Sequence, residues 1–294
     1  MQWGDLPDQA RAAVEARIGT VRYAVSAPAG LTRGVAACLR TASGAAFLKA
    51  VPLASPALPH YEREQHVNAA VSAHVPAPRL LWSERAGGWL LLLFEAVANG
   101  RPADLSPGSA DIPLVIETVA KLTDALTPSP CPNLPPVSEK IEGICRYADK
   151  ILGSGCADEL LASAAGLLNL DAVAGDTLLH ADLSEDNLLI TNGGVRVVDW
   201  SLASRGAPWV DVALLTLRCI MAGHTPEAAE RWAARVPAWR TAPPSALTGL
   251  IATRALFSTY MAANGPQYLR QRRAAAAAAG RAWVAYRRSY SSIS

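Results

Sequence analysis

The spacing of apolar and polar positions changes character along the chain. The opening QARAAVEARIG has helical spacing and predicts a helix leading into, or packed on, a first lobe. From Tyr23 to Ala50 the apolar stretches become short, with glycines at 30, 34 and 44 between them and the run AAFLKAV near the end. This predicts antiparallel strands joined by tight turns. PLASPALPH, with three prolines, predicts a break. YEREQHVNAAVSAH returns to helical period, with Glu64, Val67 and Val71 on one face. PAPRLLWSERAGGWLLLLFEAV then predicts two strands around a turn at Gly87 and Gly88.

Asn99 to Gly108 is polar and carries glycine and proline, the composition of a boundary. Beyond it, Ile112 to Leu126, ICRYADKILGSG and ADELLASAAGLL predict helices, with the proline-rich TPSPCPNLPP as a loop. Two short apolar runs, LLI and VRVVD, predict strands inside this helical region, and residues 209 to 288 return to helix with a proline-marked loop at 241 to 244. The expected organisation is α+β: residues 1–98 a mainly antiparallel β lobe with a leading helix, 99–108 a linker, and 109–294 a mainly helical lobe with one small β insertion. The cleft between two such lobes is the default place for a ligand.

Composition sharpens this little. Apolar residues make up 51% and charged residues 18% of 294, a globular balance, and the formal net charge of +2 gives no reason to expect nucleic acid. The charge is unevenly placed: from Ser201 onward there are three acids against twelve arginines, with Arg270, Arg272 and Arg273 beside a six-alanine run. A basic helix face is the simplest account. Five scattered cysteines form no C-x-x-C pair and suggest neither a disulfide framework nor zinc. The start has no basic head followed by an apolar core, and the longest apolar run, WLLLLF, is too short to span a bilayer, so the expectation is a cytoplasmic protein without a membrane partner. Composition does not address oligomeric state.

The chemistry concentrates in LLHADLSEDNLLI at 178 to 190 and VRVVDWSLA after it. His180, Asp182, Asp186 and Asn187 fall in one polar interval between apolar runs, and the next apolar run ends on Asp199. HADLSEDN followed by VVDW resembles the catalytic and metal loops of the aminoglycoside phosphotransferase-like family, which has a protein kinase-like two-lobed fold. The family's loop runs H-G-D-x-x-x-x-N, and here the spacing from Asp182 to Asn187 is kept, with Asp199 twelve residues further on. The resemblance spans about residues 20 to 270. It implies an enzyme of the EC 2.7.1 type that moves the γ-phosphate of ATP, or of GTP as the alternative, to a hydroxyl of a small-molecule acceptor. Asp182 would be the base or acceptor-positioning residue, and Asn187 and Asp199 would hold Mg²⁺, a hard ion that takes oxygen ligands. His180 would orient the loop by hydrogen bonding. Asp211, in WVDVALL, would brace it from the start of a helix.

The resemblance also places residues in the first lobe, which it makes the nucleotide-binding one. A strand lysine should meet the α and β phosphates, held by a helix glutamate; Lys49 fits the first demand, and Glu64, or alternatively Glu62, fits the second. Gly30 and Gly34 lie where a loop could cover phosphates, although a hairpin turn explains the same glycines; Gly30 is the candidate. Glu95 and Val97 fall in the lobe connection, where main-chain groups would meet the base, and Leu189 would close the base pocket or serve as an ordinary core leucine.

Some letters depart from the family pattern. Ala181 stands where glycine is usual, and Ser184, Glu185 and Asp186 replace the usual histidine, proline and glycine. The two added acids could draw a cationic or metal-bound acceptor, or point to solvent. Only eleven residues run from Ser201 to Asp211, too few for a protein kinase's activation segment, which favours a small acceptor. Glu142, Asp149, Asp158 and Glu159 could add to an acidic lining for a polycation, whereas the later arginines would suit a carboxylate or phosphate. The alternative to an active enzyme is a catalytically weak or inactive nucleotide-binding protein of the same fold with a regulatory or scaffold role.

Overall fold

The computed structural model describes residues 1–27, 34–131, 133–155 and 157–291, so Gly30 lies outside the described residues. The fold is α+β and kinase-like, and the chain divides into two compact units: Met1–Pro102 with Asn187–Ala203, and Ala103–Asp186 with Ser204–Ser294.

The first unit is built on a five-stranded antiparallel sheet. Its strands are β1 (Tyr23–Ser26), β2 (Val35–Arg40), β3 (Ala45–Pro52), β4 (Leu80–Ala86) and β5 (Trp89–Glu95), in the order β1-β2-β3-β5-β4. The sequence of β5 explains its interior place. Side chains alternate between faces, and both sets here are apolar: Trp89, Leu91 and Leu93 join the core beneath helix α1 (Asp8–Ile18), while Leu90, Leu92 and Phe94 join a second core with Tyr61 of helix α2 (Leu58–His74). A strand covered on both sides needs apolar residues at every position, and each fully buried leucine contributes about 1.5–3 kcal/mol. Gly87 and Gly88 turn β4 into β5 at φ +58° and +79°, backbone angles that side chains disfavour.

Helix α2 starts inside the segment expected to be broken. Pro59 lies in its first turn, where the missing N–H costs nothing because first-turn donors have no helical partner. The unit is completed by a small antiparallel sheet of β6 (Arg101–Pro102), β8 (Leu188–Thr191) and β9 (Gly194–Val197), with β8 central. Thus residues 187–203, although they lie far along the chain, group with the first unit.

The second unit is mainly helical: α3 (Asp111–Ala125), α4 (Val137–Gly153), α5 (Glu159–Ala165), α6 (Trp209–Met221), α7 (Pro226–Ala233), α8 (Pro244–Asn264) and α9 (Gln267–Ser291). A short ladder pairs β7 (Thr177–Leu179) with β10 (Ser204–Gly206). Helices α6 and α8 are buried on nearly every face, which makes them the inner elements of this unit. Helix α9 lies close against α8: a Cβ on Gly280 would sit 2.8 Å from the Ala255 methyl, and Ala276 and Ala279 of the alanine run are buried. The stretch expected as helix interrupted only at 241–244 is thus four helices. Thr225 caps α7 through the Ala228 N–H at 3.2 Å, with Pro226 in its first turn. Among the described residues, no helix is long and apolar enough to cross a membrane.

Candidate active site

In the first unit, strand alternation decides which way Lys49 faces. Its neighbours Leu48 and Ala50 belong to the core under α1, whereas Phe47 and Val51 pack into the core on the α2 side. Lys49 therefore emerges toward α2, where Glu64 shares the buried face of Tyr61, Val67 and Val71. Lys49 Nζ donates to Glu64 Oε1 at 2.8 Å and Oε2 at 2.7 Å, and lies 2.9 Å from Asp199 Oδ1. Their side-chain exposures are 14% for Lys49, 4% for Glu64 and 40% for Asp199. Burial alone would lower the lysine's pKa, but Glu64 and then Asp199 outweigh it and hold the ammonium above its ordinary value. Burial pushes the Glu64 carboxyl up, and Asp199 adds to this, against the pull of Lys49. Glu62, the alternative partner, pairs instead with Arg85 at 2.6 Å on the surface.

Asp199 follows β9 in a left-handed conformation, φ +64° and ψ +67°. Aspartate tolerates this better than most residues, yet it costs roughly 1 kcal/mol or more. The conformation is clamped on both sides: Val198 N–H donates to the Asn187 carbonyl at 3.0 Å, and the buried Trp200 indole donates to the Val197 carbonyl at 3.2 Å. The first of these bonds places Asn187 beside the Asp199 turn. An amide oxygen and a carboxylate form a hard oxygen donor set that fits a magnesium ion, which uses few protein ligands and keeps water or phosphate for the rest.

Val97 and Leu189 are brought together. A Cβ on Gly100 would lie 2.8 Å from Val97 Cγ1 and 3.4 Å from Leu189 Cβ, so the glycine lets the lobe connection lie on β8. Both side chains are half-buried. The Glu95 backbone N–H donates to the Arg79 carbonyl at 2.9 Å, and its carboxylate accepts from Arg79 Nε at 2.7 Å, which holds the carboxyl below its ordinary range.

In the second unit, β7 delivers the chain into His180, whose side chain is buried. His180 Nδ1 accepts the Asp182 N–H at 3.3 Å, bending the loop back on itself. Asp211, in the first turn of α6, accepts the backbone N–H groups of His180 at 2.7 Å and Ala181 at 2.8 Å. Burial pushes its carboxyl up, opposed by His180 and these two N–H groups. Ala181 takes φ +62°, which explains why glycine is usual there. Arg218 lies seven residues after Asp211, two turns along the same face of α6, and its Nη2 lies 3.2 Å from Asp182 Oδ1. The two added acids lie near an arginine and stay open to solvent: Arg272 Nη2 lies 3.3 Å from Glu185 and 4.0 Å from Asp186, whose side chain is 64% exposed.

Sequence pattern singles out neither Arg218 nor Arg254. The one available signal for Arg218 is its spacing from Asp211; Arg254 sits on a helix buried on nearly every face, where helical period carries no direction.

The solved structures with this fold include a thermostable mutant of aminoglycoside phosphotransferase APH(4)-Ia, with 18% identity, TM-score 0.60, and coverage of 95% of this chain and 98% of the other. A GDP complex of an aminoglycoside 2'-phosphotransferase-IIIa mutant has 15% identity and TM-score 0.63, covering 96% of each chain. Choline kinase LicA from Streptococcus pneumoniae has 14% identity and TM-score 0.60, covering 92% of this chain and 98% of the other. No curated protein sequence matches. The model of the phosphotransferase enzyme family (APH) matches residues 36–244, which include Lys49, Glu64, the loop from His180 to Asn187, Asp199 and Asp211, and the chain belongs to that family.

Proposed function

We propose that the protein transfers the γ-phosphate of ATP to a hydroxyl of a small molecule. The observation that carries this reading is the triad in which Lys49 lies between Glu64 and Asp199, at 2.7–2.9 Å from their oxygens. A buried, protonated lysine fixed by one carboxylate and adjoining a second suits a phosphate-binding role, because Glu64 sets the position of the charge while Asp199 remains partly exposed for other work. Lys49 meets the α and β phosphates, and Glu95, Val97 and Leu189 receive the base. Gly30 remains a proposed contributor to the phosphate-covering loop. Residues 1–98 serve as the nucleotide-binding lobe, 99–108 as the linker and 109–294 as the helical lobe with the catalytic and metal loops, of which residues 187–203 group with the first unit.

Asn187 and Asp199 would hold Mg²⁺, which when bound neutralises charge on the transferred phosphate. Asp182 accepts the acceptor's proton as the oxygen–phosphorus bond forms; the bond to the β-phosphate oxygen breaks, and ADP leaves with the electron pair. Transfer of this kind asks mainly for positioning and charge. The loop supplies positioning: His180 and Asp211 fix its backbone, and Arg218 holds Asp182 Oδ1. The intact set from Lys49 to Asp199 speaks against the inactive alternative.

The test is product detection by mass spectrometry with ATP or GTP, Mg²⁺ and a panel of hydroxyl compounds. Asp182→Asn is expected to lower kcat by about 10²–10⁴-fold, the contribution of a general base, while sparing nucleotide binding. An unchanged kcat overturns the role of Asp182. Mg²⁺-dependent nucleotide binding without any product across the panel favours the inactive alternative.

A further inference from the structure

Arg218 of α6 lies 3.2 Å from Asp182 Oδ1, and the charge of Asp182 also reaches Arg254 of α8 and Arg273 of α9 in the same unit. Arg254 Nε is shut away from water with no hydrogen-bond partner. Burial, then Arg218, pulls its guanidinium down to about 10, partly offset by Asp182, so it stays charged at neutral pH. Burial and Arg218 also lower Arg273. Three cations within electrostatic reach of this carboxylate crowd positive charge into a partly desolvated place, and such crowding costs stability. The neighbouring Arg272 adds to that crowding and is itself engaged by Glu185.

The basic character continues into a groove of about 400 Å³ between α4 and α8, lined by Lys140, Arg146, Lys150, Tyr147 and Phe257, with no carboxylate among its described lining residues. The groove and the arginine cluster share a wall, since Arg273 Cζ lies 5.0 Å from the Phe257 ring centroid. Lys150 Nζ lies 5.0 Å from the centroid of Tyr147. The charge of Lys140 also reaches the Asp211 carboxyl, which it helps to hold down against burial. Three of the acids that could have lined an acceptor site for a polycation lie near arginines instead, Glu185 and Asp186 by Arg272 and Asp158 by Arg281.

We propose that the acceptor is an anion: a hydroxyl compound with a carboxylate or phosphate that is bound by Arg254 and Arg273, and with an apolar or aromatic body that lies on Phe257 and Tyr147. This rests on the reading of Asp182 as the acceptor-side residue of a phosphoryl transfer. The anion's hydroxyl proton passes to Asp182, its oxygen takes the γ-phosphoryl group, and the nucleoside diphosphate leaves with the electrons of the broken bond. A polycationic acceptor would meet like charge at Arg254 and Arg273. The arginines are assigned to the acceptor rather than to the nucleotide because Arg218 holds Asp182, Arg254 and Arg273 lie within reach of its charge, and Arg273 adjoins the aromatic groove at Phe257.

The test uses hydroxyl compounds in sets matched in shape and different in charge: hydroxyphenylacetate, tyrosol and tyramine; glycerol phosphate, glycerol and serinol; glucuronate, glucose and glucosamine. Saturable binding is measured by calorimetry on the full chain, and phosphorylated product by mass spectrometry. Arg254→Met, Arg254→Lys and Arg273→Gln are compared with wild type, and MgATP affinity is measured separately. The expected result is that anionic members bind in preference to their neutral and cationic partners. Arg254→Met and Arg273→Gln should weaken them about tenfold to a hundredfold, the worth of a charged hydrogen bond. Arg254→Lys, which keeps the charge in a differently shaped group, should retain part of the binding and guards against misfolding of the methionine variant. Preference for cations, absence of saturable binding by any anion, or anion affinity unchanged in both Arg254→Met and Arg273→Gln overturns the proposal. Loss of MgATP affinity with acceptor preference intact also overturns it, and assigns the arginines to the nucleotide. Asp182-dependent product on a cationic acceptor would sink the anion proposal and leave the transfer reading standing; absent transfer in every set, with MgATP bound, sinks the transfer reading itself.

Discussion

Asp211 Oδ1 accepts the backbone N–H of Ala181 at 2.8 Å, across thirty residues of sequence and onto a residue at φ +62°. The companion oxygen takes the N–H of His180 at 2.7 Å. The two bonds fix the N–H groups of both residues between β7 and Asp182, so one helix-start carboxylate helps set the direction in which the loop presents its aspartate. Asp211→Ala leaves two buried donors unsatisfied and should cost about 2–5 kcal/mol, whereas Asp211→Asn, with one acceptor oxygen left, should cost about half. Denaturant unfolding gives both values, and amide exchange at 180 and 181 should accelerate in the alanine variant. A loss below about 0.5 kcal/mol would place the bonds among neutral surface contacts and sink the bracing role.

The Lys49 triad makes a second prediction. With the lysine gone, Glu64 is left 4% exposed and facing Asp199, two carboxylates with no cation between them. Lys49→Met should therefore destabilise by about 3 kcal/mol, at the lower end of the range for broken buried pairs because Asp199 is 40% exposed. Adding Glu64→Leu removes the stranded charge, so the double variant should regain stability over Lys49→Met alone. A double-mutant cycle measures this; strictly additive losses would show that the two residues hold their places independently.

The legible parts of the sequence are those where physics makes direction local. Alternation at Phe47, Lys49 and Val51 and helical period at Glu64, Val67 and Val71 each fix a face, so the lysine and its glutamate can be named without knowing any contact. The loop from His180 to Asn187 is legible because its likeness to the family lies in a fixed local spacing, Asp182 to Asn187. Pro59 misleads because proline breaks helix interiors but suits a first turn. The β7–β10 ladder escapes reading since three-residue strands carry no alternation to detect. Arg254 is invisible for a different reason: in a helix buried on nearly every face, a lone cation points somewhere only tertiary packing decides.

Asp158 makes the pH-dependent prediction. It caps the short helix α5 by accepting the Leu161 N–H at 3.2 Å, and its other oxygen accepts from Arg281 Nε of α9 at 2.6 Å, tying the two helices together. The Arg281 hydrogen bond, against a smaller opposing effect of burial, holds the carboxyl below its ordinary value. Since the folded pKa is lower than the unfolded one, the unfolded chain binds the proton first on acidification. The pair's contribution is thus complete above the ordinary value of about 3.9 and is lost as pH falls through the depressed one. Asp158→Asn keeps a capping oxygen and removes the titration. At pH 7 it should be less stable than wild type by about 0.5–1 kcal/mol, a modest figure because solvent reaches the Arg281 side chain, which is 57% exposed. Urea unfolding should find that gap constant between about pH 7 and pH 5 and shrinking below about pH 4. A gap that stays constant down to the acid limit of folding would mean that the bond to Arg281 contributes as a neutral contact, and that the charge on Asp158 does nothing for the fold.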